Sequence, residues 1–244
     1  MKRFYKKAVA TFALLTIELA LVWALLIISF SVFFYFTKLV FVDNSTGLDE
    51  AAFRFAEAHT SPGTTSFMRF ITFFATFEFL LGAGLSLASY YLFIRKRRWF
   101  SLKVVALALG GTLLNQGLKF FFERPRPTTE IANFSFPSGH AMIGLTFYGV
   151  LIYLAWNHFK NKTIRYVVCG FLLLLILLIS YSRVYLHVHY ATDVIAGLAG
   201  GFFWLLIGLR VLSKIERFSR KEISPVVEDT APAAEPKNKA GEDQ

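Results

Sequence analysis

Charge is scarce in this sequence: 17% of its 244 residues are Asp, Glu, Lys or Arg, against about 25% in an ordinary soluble domain. A chain so poor in charge cannot cover a water-facing surface in the usual way, whereas 55% of its residues are hydrophobic and 28 are Phe. The bilayer is the simpler home for such a chain. Apolar runs fill most of its length, so one membrane domain is expected in place of one or two soluble ones. Cysteine is nearly absent. Cys169 stands alone, which excludes an intrachain disulfide, and it lies against the apolar run from Phe171 to Ile179. A buried, inert thiol is expected there. Internal repeats, a basic helix and an RNA-binding pattern are also missing. The net charge of +10 sits mainly in short clusters between apolar runs, as juxtamembrane anchors do, so no nucleic-acid partner is expected.

A helix that crosses a bilayer needs about 20 mostly apolar residues. Six such stretches are predicted, at 8–37, 66–94, 101–122, 140–157, 164–181 and 191–212, giving an all-α polytopic membrane protein. The first is too long for the apolar region of a signal peptide, and Lys38-Leu39-Val40 offers no small-residue cleavage site, so it reads as an anchor. The segment from Val42 to Gly63 is expected to hold a short surface helix ended by Ser61-Pro62-Gly63. The membrane domain spans 1–221. From 222 to 244 the chain is rich in Pro, Ala, Glu, Asp and Lys and is expected to be a disordered tail.

Orientation follows from where Lys and Arg collect. Lys2, Arg3, Lys6 and Lys7 precede the first span, and Arg95 to Arg98 follow the second. Lys160, Lys162 and Arg165 separate the fourth and fifth, and Lys214, Arg217, Arg220 and Lys221 follow the sixth. All four clusters fall on one side of a six-span layout, which predicts cytoplasmic termini. The loops near 38–65, 123–139 and 182–190 then face outward.

Two of those loops concentrate polar groups. One runs from Lys119 through Glu123-Arg124-Pro125-Arg126-Pro127 to Pro137-Ser138-Gly139-His140, the other from Ser182-Arg183 through His187 and His189 to Asp193. Ionisable groups at membrane depth are costly to desolvate, so such a cluster points to function. Lys119, Arg126 and Arg183 suit a phosphate, whose charge spreads over three equatorial oxygens during transfer, and Arg adds bidentate geometry. Ser138 and Gly139 open the fourth span, where a hydroxyl and free backbone N–H groups point at an anion. His189 and Asp193 share a helical face at a spacing of four. A carboxylate that holds one ring nitrogen leaves the other as a nucleophile, and His140 is then available to protonate a departing alkoxide.

Each piece alone has a plainer meaning. Lys119 reads as a snorkelling residue at a span end. Arg126-Pro127 reads as a turn, and Arg124-Pro125 beside it shows how cheaply that dipeptide arises. Pro-Ser-Gly-His reads as a loop entering a helix, and Asp193 as a favourable charge near a helix start. His187, His189 and His140 with Asp193 form a plausible ligand set for a metal, but three nearby cations oppose one, so neither a metal nor another cofactor is expected. What sets the plainer meanings aside is the occurrence of all the pieces, in order, on one predicted face.

Lys119-x6-Arg126-Pro127, Pro137-Ser138-Gly139-His140 and Ser182-Arg183-x5-His189-x3-Asp193 resemble the three signature motifs of the type 2 phosphatidic acid phosphatase superfamily. The motifs are complete and in order, and they cover 119–193. The resemblance implies a metal-independent phosphatase of lipid monoesters or diphosphates that works through a phosphohistidine. It implies His189 as nucleophile, Asp193 as its orienting partner and His140 as general acid, with Lys119, Arg126, Ser138, Gly139 and Arg183 on the phosphate. It also chooses Arg126 over Arg124 and His189 over His187, choices the bare residues leave open. Vanadium haloperoxidases share the motifs in soluble folds, which six apolar spans argue against. Phosphatidic acid, phosphatidylglycerophosphate and undecaprenyl diphosphate all suit a site at the outer membrane interface. The compact chain looks similar to bacterial members of the phosphatidylglycerophosphatase B kind, which implies the bacterial inner membrane.

Two rivals remain at this point. A transporter or flippase would keep the anion site for binding only, with Glu18 and Glu78 inside spans as markers of a path; pairing of these carboxylates within the bundle is the expected alternative. A phosphotransferase would pass the phosphate to an acceptor other than water. The residues set no oligomeric state.

Overall fold

In the computed structural model, the backbone is described for residues 2–128 and 133–228 and side chains for 17–128 and 133–219. The elements are α1 (Lys2–Phe41), α2 (Gly47–Ala58), α3 (Pro62–Phe73), α4 (Phe77–Ser89) with one π-helical turn (Tyr90–Ile94), α5 (Arg98–Phe122), α6 (Gly139–His158), α7 (Lys162–Tyr185) and α8 (Ala191–Glu228). The described residues contain no strand. Six segments are long and apolar enough to cross a membrane: 17–41, 77–94, 98–122, 139–158, 162–185 and 191–219.

The second expected span, 66–94, is broken. Phe74 ends α3, and Thr76 starts α4 by accepting the Phe79 amide on its hydroxyl, which satisfies a donor that a continuous helix would have bonded internally. Ser61-Pro62-Gly63 also does the opposite of what was expected, since it opens α3. Ser61 caps the helix with Thr64 in a reciprocal capping box, and Pro62 takes the first turn, where its missing N–H costs nothing. The surface helix itself is present as α2. The last helix reaches Glu228, past the expected boundary at 221, and residues 229–244 of the expected tail lie outside the described residues.

The chain forms two compact units, 1–209 and 210–244. Within the first, α6 is the most enclosed of the apolar helices, with over half of its window buried. Phe147 and Tyr148 of α6 pack with Leu172, Leu175, Ile176 and Ile179 of α7 and with Ile71 and Ala75. Helices α6 and α8 come close enough that a Cβ on Gly201 would lie 2.5 Å from the Met142 carbonyl oxygen, so only glycine admits this contact. Trp204 of α8 donates its indole N–H to the Leu107 carbonyl at 3.0 Å. Elsewhere large apolar residues such as Trp23, Ile27, Leu113 and Phe171 are exposed, as helices in hydrocarbon require. Cys169 is buried and unpaired. Glu18 and Glu78 are both exposed, so neither is enclosed in the bundle as a buried pair.

Candidate active site

The motif residues meet because each sits at a helix end on one side of the bundle. Lys119 lies in the last turn of α5, Ser138 to His140 at the start of α6, Arg183 in the last turn of α7, and Asp193 in the first turn of α8. The Ser138 amide donates to the Asp193 carbonyl at 3.0 Å, which stitches the second motif to the third. Arg126 is held over the loop by its Nε donating to the Asn133 carbonyl at 3.0 Å. Lys119 Nζ donates to the Phe134 carbonyl. Lys119 Nζ also reaches the Ser135 carbonyl at 3.4 Å, Arg126 Nη1 donates to the Val188 carbonyl at 3.4 Å, and the His189 amide donates to the Arg183 carbonyl at 3.1 Å, so all three cationic residues are tied to the backbone around His189.

His189 is 2% exposed and Asp193 fully buried. The His189 Nδ1 lies 3.4 Å from Asp193 Oδ2 and 3.3 Å from the Ser135 hydroxyl, and Ser135 donates to the same carboxylate oxygen. The Tyr190 amide donates to it as well, at 3.0 Å. With Nδ1 against a carboxylate, the proton belongs on Nδ1 and the lone pair on Nε2. Burial pushes the His189 ring down to about 4, Asp193 opposes this, and Lys119 and Arg126 add to it. At neutral pH the ring is therefore uncharged. Burial also holds the Arg126 guanidinium below its ordinary value, with Asp193 acting the other way.

Two buried donors in this neighbourhood lack partners, the Ser138 hydroxyl and Arg183 Nε, and so does one acceptor, Asn115 Oδ1 beside Gly139. Serine at a helix start ordinarily caps it, yet Ser138 makes no side-chain cap. Arg183 is 8% exposed and donates through Nη1 to Thr72 at 2.7 Å. Leaving such donors unmade costs about 1–3 kcal/mol each, and an anion with several acceptor oxygens removes that cost. Gly139 packs on Asn115, whose Oδ1 would lie 3.1 Å from a Cβ there. His187 takes no part. It has a positive φ of 51°, stacks on Phe53 at 4.7 Å and meets Glu57 at 3.3 Å. Among the described residues no three His, Cys, Asp or Glu side chains form a group able to hold a metal.

The chain matches the PAP2 superfamily over residues 99–217. It is 33% identical over 181 residues to phosphatidylglycerophosphatase B of Bacillus subtilis (strain 168), a match covering 71% of this chain and 87% of that protein. This chain belongs to the PAP2 superfamily. The crystal structure of the transmembrane PAP2-type phosphatidylglycerolphosphate phosphatase from Bacillus subtilis superposes with a TM-score of 0.72 at 28% identity, over 79% of this chain and 98% of that one. A further relative, YbjG of Escherichia coli (strain K12), provisionally named an undecaprenyl-diphosphatase, is 27% identical over 48% of this chain and 63% of its own length. The protein is thus an integral-membrane lipid phosphatase of the PAP2 type.

Reading the PAP2 motifs alone misses several neighbours of the site. Arg124, set aside as half of a cheap dipeptide, ion-pairs with both Asp49 and Asp193. Ser135, Thr72 and Thr192 carry no sequence signal, since each is an isolated hydroxyl. Asn115, beside Gln116 in an apolar helix, is the neighbour that its polarity within a span does mark; it is 1% exposed and donates to the Pro137 carbonyl at 3.3 Å.

Proposed function

We propose that this PAP2 protein hydrolyses a lipid phosphomonoester or diphosphate through a phosphohistidine on His189, without a metal. The observation that carries the reading is the buried His189, held through Nδ1 by Asp193 close to unpartnered donors on Ser138 and Arg183. Lys119, Arg126 and Arg183, with Ser138 and the amide-rich turn at Gly139, bind the phosphoryl oxygens. His189 Nε2 attacks phosphorus while the bond from phosphorus to the lipid-side oxygen breaks, and His140 gives that oxygen its proton. The ring becomes cationic, and Asp193 stabilises it through Nδ1–H. Water then attacks phosphorus, its proton passes to His140, the P–N bond breaks and inorganic phosphate leaves. Three fixed cations supply the charge that a metal provides in other phosphatases.

The Lys and Arg clusters support cytoplasmic termini and a site on the outer face of a bacterial inner membrane. The site's place at helix ends suits an amphiphile whose headgroup reaches the interface while its tail stays in lipid. Phosphatidic acid, phosphatidylglycerophosphate and undecaprenyl diphosphate fit, and the names of the relatives lie within this range. The test is phosphate release by purified protein from each of these lipids, with EDTA, with vanadate, and with a monoester chiral at phosphorus. The expected result is turnover insensitive to EDTA, competition by vanadate as a transition-state mimic, and net retention at phosphorus from two displacements. Inversion would point to direct attack by water, and strong EDTA inhibition to a metal.

A further inference from the structure

One ion-pair network beside the site is not explained by phosphate binding. Arg124 is 12% exposed as a side chain, and its guanidinium points two ways: Nη2 donates to Asp49 Oδ2 at 2.9 Å, and Nη1 to Asp193 Oδ1. The same Nη1 reaches the Thr192 hydroxyl at 2.8 Å, and the guanidinium lies 3.9 Å from the centre of the Tyr190 ring. Asp49, 4% exposed as a side chain, also accepts the Thr192 amide at 2.9 Å and the Thr192 hydroxyl at 3.0 Å. Helix α2, the loop after α5 and the start of α8 are therefore tied together at a single guanidinium.

We propose that Arg124, braced by Asp49, is a positioning residue that fixes the Asp193 carboxylate and through it the His189 ring. The inference rests on the reading of His189 as nucleophile. Three physical points support it. Asp193 Oδ2 serves His189, Ser135 and Tyr190, and Arg124 holds the other oxygen, Oδ1, so the guanidinium completes the pinning of the carboxylate at both oxygens. A guanidinium can bridge two carboxylates in fixed directions, which the point charge of lysine cannot. The buried Asp49 and Asp193 carboxylates share one cation, the Arg124 guanidinium, so removing it strips both of their common partner.

Arg124→Gln, Arg124→Lys, Asp49→Asn and the double variant Arg124→Gln/Asp49→Asn test this, each assayed per vanadate-titrated site so that loss of folded protein does not count as loss of rate. Arg124→Gln is expected to lower kcat about 100-fold with KM and vanadate Ki within about threefold, because Lys119, Arg126 and Arg183 remain. Arg124→Lys recovers less than about a tenth of the rate. Asp49→Asn costs about tenfold, and the double variant is no slower than Arg124→Gln, since both act along one path. Unchanged kcat in Arg124→Gln, a vanadate Ki that weakens in step with kcat, or losses that multiply in the double variant would each overturn the proposal. If Arg124→Gln does not fold, Asp49→Asn and Arg124→Lys decide by the same split of kcat from KM. His189→Ala is measured beside them. If it still turns over, the reading of the nucleophile fails; if it is inert while Arg124→Gln is as fast as the parent, only this inference fails.

Discussion

Gly197 faces Ser138 so closely that a Cβ built on it would lie 2.7 Å from the Ser138 carbonyl oxygen. The obstacle is backbone, and so are or adjoin its other neighbours, with the Ala141 Cβ at 3.2 Å and the Met142 amide at 3.4 Å. Helix α8 carries Asp193, and Ser138 starts α6, so this contact sets how far the carboxylate lies from the Ser138–Gly139 turn. Gly197→Ala should push the helices apart by a few tenths of an ångström. Activity should fall at least about tenfold and Tm by several degrees, measured by phosphate release and by thermal unfolding in detergent. Gly170→Ala in α7, where nothing lies within 4 Å of the added carbon, should leave both unchanged or raise Tm slightly.

Thr72 gives Arg183 its hydrogen bond at 2.7 Å from α3, a helix outside the three motifs. Thr72→Val keeps the shape and removes the acceptor, which frees the guanidinium from its rotamer. KM for a lipid phosphate should rise about three- to tenfold, equivalent to about 1 kcal/mol, with a smaller change in kcat. Steady-state kinetics checks it, and an unchanged KM would mean that Thr72 does not fix Arg183.

The pH dependence follows from the sign of the His189 shift. In the proposed mechanism its ring must be neutral to attack, and burial has lowered it from an ordinary 6.5 to about 4. The acid limb of kcat/KM, after the substrate's own ionisation is divided out, should therefore lie near 4, with activity kept as pH falls from 7 through 6.5 and lost below. Stability behaves consistently. The unfolded ring takes a proton near 6.5 and the folded one does not until about 4, so the contribution is present above 6.5 and lost as pH falls through that window. An acid limb at 6.5 would mean that the ring is solvated.

Much of this architecture was legible in the sequence because a membrane span announces itself by length and apolarity, and the arrangement of the three motifs is specific. The misplaced boundary at 66–94 has a physical cause. Phe67, Phe70, Phe73 and Phe74 of the α3 region are as apolar as α4, and Thr76, which caps α4, resembles Thr72, which does not cap. Ser61-Pro62 was misread because proline follows helix ends and also begins helices; the capping partner Thr64 was the distinguishing mark. Arg124 escaped for a different reason. Its dipeptide is identical to that of Arg126, and its brace, Asp49, is 75 residues away, a distance over which no local pattern carries information. Only family spacing chooses between His187 and His189; in the structure the first turns to Glu57 and the second to Asp193, contacts that no local sequence pattern distinguishes.

The most direct test of the account is the turnover of His189→Ala and His187→Ala, each folded and measured on the same lipid phosphate. The account predicts a loss of at least about 1,000-fold for His189→Ala, the scale seen when a nucleophile is removed, and a rate within about threefold of the parent for His187→Ala. Comparable losses in both, or turnover that survives in His189→Ala, would contradict it.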